Sequence, residues 1–163
     1  MAQFHSLKIK SILRQTDKAV SITFEVPTTL KTEYTFTAGQ YITLKTVIDA
    51  KEVRRDYSLS SSPQSESLTV TVKEIEGGVF SSHANRQLKT GDTLEVGTPN
   101  GRFVYDSETN KANTIVAFAA GSGITPIMSI ARTVLESDST FVLIYGNKSP
   151  KETIFHEEIL KLK

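Results

Sequence analysis

From Phe4 to about Tyr105, apolar residues recur in short runs separated by polar and turn-forming residues: Leu7 to Leu13, Val20 to Val26, Tyr41 to Val47, Arg54 to Leu59, Leu68 to Ile75 and Thr93 to Gly97. In Ser67-Leu68-Thr69-Val70-Thr71-Val72 the alternation is strict, the period of a strand with one buried face. Many short strands at this spacing predict an antiparallel barrel or sandwich. One helix is predicted between Ser81 and Leu88, where small and polar residues lead into Leu88 and Lys89-Thr90-Gly91-Asp92 stops the run.

The pattern changes after Asp106. Asp106 to Asn113 is polar and without apolar periodicity, the composition of a connector, so the chain divides into 1–107 and 112–163. Beyond it, Thr114 to Ala119 is a continuous apolar run, Gly121 to Gly123 a tight turn, Ile124 to Leu135 helical, and Phe141 to Tyr145 a second continuous run. That is a βαβ unit, whose strands lack alternation when both faces of a parallel sheet are covered. Lys151 to Leu160 has helix-compatible spacing. Two parallel strands do not make a self-sufficient sheet, because apolar faces and edges stay uncovered. The expectation is therefore a fragment, a partial α/β nucleotide-binding unit that packs on the barrel, pairs with a second copy as a dimer, or stays partly disordered.

Composition narrows the chemistry. A hydrophobic share of 38% and a charged share of 23% are those of a folded globular chain. The formal net charge of +1, without a long like-charge run, gives no footprint for nucleic acid. With no cysteine, disulfides, thiolate metal sites and cysteine-ligated clusters are excluded from this stretch, so redox chemistry needs a borrowed cofactor. The three histidines, His5, His83 and His156, have no metal-ligand spacing, and the Glu157-Glu158 pair reads as an exposed helix face. Met1 to Lys10 lacks the apolar core of a signal peptide and no run is long enough to span a bilayer, so the expected location is cytoplasmic, with no membrane partner.

Several short segments stand out in order: Phe36-Thr37-Ala38-Gly39-Gln40-Tyr41, Arg54-Arg55-Asp56-Tyr57-Ser58-Leu59-Ser60-Ser61-Ser62-Pro63, Gly77-Gly78-Val79-Phe80-Ser81-Ser82, Pro99-Asn100-Gly101-Arg102-Phe103, Ala119-Ala120-Gly121-Ser122-Gly123-Ile124-Thr125-Pro126 and Tyr145-Gly146-Asn147-Lys148. Together they resemble the ferredoxin-NADP-reductase-type flavoproteins over essentially the whole chain. Within that family the wording is most similar to reductase components of phenylacetyl-CoA and related bacterial oxygenases. The resemblance implies a six-stranded antiparallel Greek-key barrel that binds FAD, followed by the N-terminal part of a Rossmann-like NAD(P)-binding domain. It places any 2Fe-2S centre in a further C-terminal region.

The residues fit that chemistry on their own terms, beside plainer readings. Tyr57 on a strand supplies a flat apolar face and a polar rim for a flavin ring. Arg55 shares its face by strand alternation, and its fork suits a diphosphate. On spacing alone an exposed strand arginine and a core tyrosine do equally well. Gly77-Gly78 before a helix start lets phosphate approach free N–H groups, with Ser81 and Ser82 as hydroxyl donors; an ordinary turn with a serine cap is the alternative. Gly121-Ser122-Gly123 between strand and helix suits a dinucleotide, or simply a tight turn, and Pro126 is tolerated in the first helical turn. By resemblance, Ser58 lies beside flavin N5 and Thr125 beside the nicotinamide, as the catalytic pair. The same resemblance assigns cofactor contacts to Leu59, Val79 and Phe80, and backbone contacts to Val72 and Lys73.

The implied function is a flavin-dependent oxidoreductase that takes hydride from NADH or NADPH onto FAD and passes electrons singly to an iron-sulfur protein or oxygenase component. Two other classes stand beside it. One is a non-catalytic ligand- or protein-binding barrel with a decayed flavin site; the other, an oligonucleotide-binding barrel, is disfavoured by the balanced charge.

Overall fold

The computed structural model describes residues 3–110 and 112–162. The outer limits of the two expected domains, Met1 and Lys163, and Lys111 in the connector lie outside the described residues. Strands β1 (Phe4–Thr16), β2 (Ala19–Glu25), β3 (Tyr41–Ile48), β4 (Lys51–Ser58), β5 (Leu68–Lys73) and β6 (Thr93–Gly97) form one antiparallel sheet in the order β4-β3-β6-β1-β2-β5. The two edge strands meet at a bridge between Leu59 and Val70, where the Ser60 N–H donates to the Thr69 carbonyl at 2.8 Å. The sheet thus curls back on itself. Around this closure β3, β4 and β5 are successive neighbours and β6 returns beside β3, the Greek-key order expected.

The alternation seen in the sequence becomes the barrel interior: Leu7, Ile9, Ile22, Leu44, Val70 and Val96 are buried together. Register shifts in β1 at Ile9/Ser11 and Arg14/Thr16 are the irregularities that let so long a strand bend around the core. Gly39, at φ +100, sits where a Cβ would lie 2.2 Å from the Phe103 carbonyl oxygen, so the turn before β3 packs directly on backbone. A 3-10 turn over Thr28–Tyr34 has no apolar period to announce it. Tertiary contacts hold it: Tyr34 is buried and donates to the Val96 carbonyl at 2.7 Å.

Helix α1 (Val79–Arg86) begins two residues before the predicted start and packs on β5, β4 and β2. In the second unit β7 (Thr114–Ala120) and β8 (Thr140–Gly146) pair in parallel, with α2 (Ile124–Leu135) between them. Ile124, Met128 and Val134 of α2 form one core with Ala117, and Ala19, Ala38 and Tyr105 of the barrel join it. Packing on the barrel, one of the outcomes expected for a partial unit, is observed.

Two expectations need correction. The helical spacing of Lys151 to Leu160 yields only a 3-10 turn at Pro150–Glu152 and a four-residue helix α3 (His156–Ile159), because Phe155 adopts a left-handed φ of 62° that breaks the run. Among the described residues the β7–β8 ribbon is covered on one face only. Ile115, Ala119, Phe141 and Leu143 face the core, whereas Val116, Phe118, Val142 and Ile144 are exposed. Among the described residues no helix is long and apolar enough to cross a membrane.

Candidate functional site

A groove of about 500 Å³ opens where the β4 and β5 edges of the barrel meet the turn before α2. Arg55, Tyr57 and Ser58 form one wall, Gly77 to Ser81 another, and Ser122 and Thr125 face them. Thr71 and Lys73 also line it. A larger cavity of about 730 Å³ under the Thr28–Tyr34 turn contains none of the sequence-predicted site residues; of its two lysines, Lys10 and Lys31, the latter is paired with Glu66 at 2.8 Å. The smaller groove combines an aromatic face, a helix start and two strand ends, so it is the better candidate despite its size.

Tyr57 lies opposite the core residue Ile42 and Arg55 opposite Leu44 in the β3–β4 ladder, and directly opposed residues share a face. Near the strand end this face opens, leaving Tyr57 half-buried. Its ring is backed by Phe80 at 5.5 Å between centroids and a 36° tilt. Burial pushes the phenol up to about 12, an effect that the nearby Arg55 charge partly offsets, so the hydroxyl is a neutral donor throughout the physiological range. Arg55 is exposed and donates to the Arg54 carbonyl at 2.6 Å, while Arg54 itself pairs with Glu52. Charge in the groove is balanced by Asp56, which accepts from Thr43 at 2.6 Å, and by Glu76.

Gly77, at φ +71, has nothing within 4 Å of the place a Cβ would occupy, so the backbone borders open groove. Gly78 is glycine for packing, since a Cβ there would meet Ser81 Oγ at 2.3 Å and Ile75 Cγ1 at 2.5 Å. The helix that follows has no side-chain cap and no acidic residue in its first turn. Its first N–H groups therefore lack partners within the helix and carry the positive end of its dipole toward the groove. Thr125 is buried and its hydroxyl donates to the Ser122 carbonyl at 3.1 Å. Lys73, where β5 ends, reaches Glu152 at 3.7 Å.

Other sequence candidates stand behind the groove. Leu59, Val72 and Phe80 are core side chains, so only their backbone, or for Phe80 its support of Tyr57, bears on the site. The Val72 carbonyl accepts from Asn85 at 3.1 Å. Ser82, Gly121, Gly123 and Pro126 do not line the groove, although Gly123 borders open space and the Gly121 carbonyl accepts from the Tyr145 hydroxyl at 2.8 Å. The sequence reading missed Thr71. Strand alternation assigns it to the polar face, yet it is buried, with its hydroxyl 2.8 Å from that of Ser21 and 3.1 Å from that of Ser60. No periodic signal marks a polar face closed by other hydroxyls.

Residues 7–105 match the oxidoreductase FAD-binding domain family, and residues 118–163 match the oxidoreductase NAD-binding domain family. The chain belongs to the ferredoxin-reductase-like FAD-binding oxidoreductases. It is 42% identical over 165 residues to a component of the 1,2-phenylacetyl-CoA epoxidase of Escherichia coli (strain K12), covering 100% of this chain and 46% of that protein. It is 36% identical to the ferredoxin reductase component of the 3-ketosteroid-9-alpha-monooxygenase of Rhodococcus rhodochrous, covering 96% of this chain and 44% of that protein. The chain spans about half the length of these curated relatives. Among solved structures, phthalate dioxygenase reductase, described as a modular structure for electron transfer from pyridine nucleotides to [2Fe-2S], superposes with a TM-score of 0.80 at 29% identity, over 96% of this chain and 47% of that one. A ferredoxin-NADP+ reductase from Neisseria gonorrhoeae, with bound FAD and NADP, superposes at 0.82 with 25% identity, over 99% and 65%. In this family member the groove lies between the segments matched by the two domain families.

Proposed function

We propose that this chain holds FAD in the groove beside Tyr57 and serves an NAD(P)H-dependent reductase that feeds a one-electron acceptor, such as the iron-sulfur centre of an oxygenase system. The carrying observation is that Tyr57-Ser58 and Gly77 to Ser81, distant in sequence, line one groove that Ser122 and Thr125 close from the second unit. On this reading 1–107 is the FAD-binding domain and 112–163 opens the NAD(P)-binding domain, working in the cytoplasm where NAD(P)H is made.

The residues present fit such a cofactor. The open space at Gly77 and the uncapped start of α1 suit a diphosphate, with the exposed Arg55 guanidinium available as a second, bidentate partner. The exposed part of the Tyr57 ring suits a planar heterocycle, and Phe80 keeps that ring from collapsing into the barrel. Ser58 offers a hydroxyl at the same wall. Thr125, across the groove, borders the place where a nicotinamide would meet it. When bound, FAD accepts hydride and returns electrons one at a time, chemistry no side chain here performs. The protein contributes orientation and exclusion of water between the two walls.

The test is the absorption spectrum of the purified chain with and without FAD, followed by fluorescence titration. The proposal expects a flavin band that survives gel filtration and saturable quenching near one equivalent. A colourless protein that leaves flavin fluorescence unchanged sinks it and favours a barrel that binds something else.

A further inference from the structure

We infer that Arg132 is a positioning residue, pinning the flavin strand to the helix that carries Thr125; the inference rests on the functional reading above. The strand that presents Tyr57 and Ser58 continues into Ser60-Ser61-Ser62, three hydroxyl residues that are all buried. The Ser60 and Ser61 hydroxyls bond within the barrel, and α2 contacts all three residues. The Arg132 guanidinium donates through Nη1 to the Ser60 carbonyl, Ser129 Oγ donates to the Ser61 carbonyl at 2.7 Å, and Ser62 Oγ donates to the Glu136 carboxylate at 2.8 Å. Positions 129, 132 and 136 fall on one helix face, so the serine run is read as a single strip.

Arg132 does more than close an interface. Its Nε and Nη2 donate to Glu158 Oε1 of α3 at 3.0 and 2.5 Å, and the guanidinium lies 5.6 Å from the Phe155 ring. One planar fork therefore ties together the exit of the flavin strand, α2 and α3. Lysine cannot reproduce this, because an ammonium is a point donor on a flexible stem. Ser60 lies two residues beyond Ser58, and Arg132 two helical turns beyond Thr125, so the pin sits just behind both walls of the groove. Only contact distance between rings on the two walls permits hydride transfer, so loosening the pin lowers rate far more than flavin affinity.

The experiment compares the full chain with Arg132→Met, Arg132→Lys and Glu158→Gln. FAD affinity is read by fluorescence titration, and the limiting rate of flavin bleaching at saturating NADH by anaerobic stopped flow. Because the chain has no cysteine, a spin-label pair at Lys51→Cys and Asp138→Cys reports the spacing of the two units directly. Arg132→Met is expected to bind FAD within about three-fold of wild type, to lose at least about ten-fold in limiting rate, and to broaden the label distance distribution. Arg132→Lys does not restore the rate; Glu158→Gln, whose amide oxygen still accepts, retains most of it. A wild-type rate with an unbroadened distribution, or equal losses in rate and FAD affinity, overturns the inference. If NADH does not bleach the wild-type flavin, the distance distribution decides: broadening in Arg132→Met and Arg132→Lys upholds the pin and no change refutes it. Failure of the wild type to bind FAD defeats the functional reading alone, with the pin still decided by the label distances.

Discussion

The barrel and the α/β unit bury their apolar residues in different ways. In the barrel the sheet closes on itself, so the inner faces of its strands share one core, in which Leu44 of β3 and Val96 of β6, side by side in the ladder, are both buried. In the α/β unit the ribbon has an inner face on α2 and an outer face that nothing covers among the described residues; Phe118 is 74% exposed and Val116 53%. The barrel is thus a complete core bearing one wall of the groove, whereas the unit bearing the other wall depends on the barrel through Ala19, Ala38 and Tyr105. The difference teaches that the flavin wall has its own support, while the Ser122–Thr125 wall is only as firm as the interface behind it.

The largest expected effect tests the closed core. Leu44→Ala should cost about 2–5 kcal/mol in urea unfolding, the range for emptying a buried leucine, whereas Phe118→Ala on the bare face should stay within about 0.5 kcal/mol. Equal effects would erase the distinction between the units. Next comes the flavin wall. Tyr57→Ala should weaken FAD binding by about ten-fold, roughly 1.4 kcal/mol of lost stacking, while Tyr57→Phe stays within a few-fold, as titration of flavin fluorescence will show. Gly77→Ala, which forces a side chain to φ +71, should weaken binding by a smaller factor or destabilise the loop by about 1 kcal/mol.

A separate effect is confined to alkali. Burial pushes Tyr34, with help from the charges of Glu33 and Glu95, and Tyr57 up to about 12, against an ordinary value of 10.0. The unfolded chain therefore releases these protons at lower pH than the folded one. Stability from this source is whole below pH 10 and declines as pH rises from about 10 to about 12. Tyr34→Phe has no phenol proton to release there and should show a shallower decline in thermal melts, from a lower start because its bond to the Val96 carbonyl is lost. An unchanged slope would show that Tyr34 ionises as easily folded as unfolded.

Where the sequence spoke through periodicity it was largely legible, the run from Lys151 to Leu160 excepted. Helix α2 and strand β6 have the bounds read from the pattern, Ile124–Leu135 and Thr93–Gly97. Strand β4 starts at Lys51, earlier than the apolar pattern suggested, because Asp49 and Ala50 both take positive φ and close a tight hairpin without the glycine that advertises one. The site divides in the same way. Arg55, Tyr57, Gly77 and Ser81 line one groove, a grouping expected from the family resemblance, since residue type and local turn chemistry alone left plainer readings open. Thr71 and the Ser60–Ser62 strip were not expected. Their roles arise from hydroxyls and carbonyls met across the fold, which no local pattern records.

The central claim concerns where FAD sits, and amide chemical shifts of the labelled chain during FAD addition test it most directly. The account predicts that the largest changes fall on Arg55 to Ser58 and Gly77 to Ser82, with weaker ones at Ser122 and Thr125 and none around Lys31 and Glu66. Changes concentrated beneath the Thr28–Tyr34 turn, or none at these groove residues at saturating FAD, would contradict it.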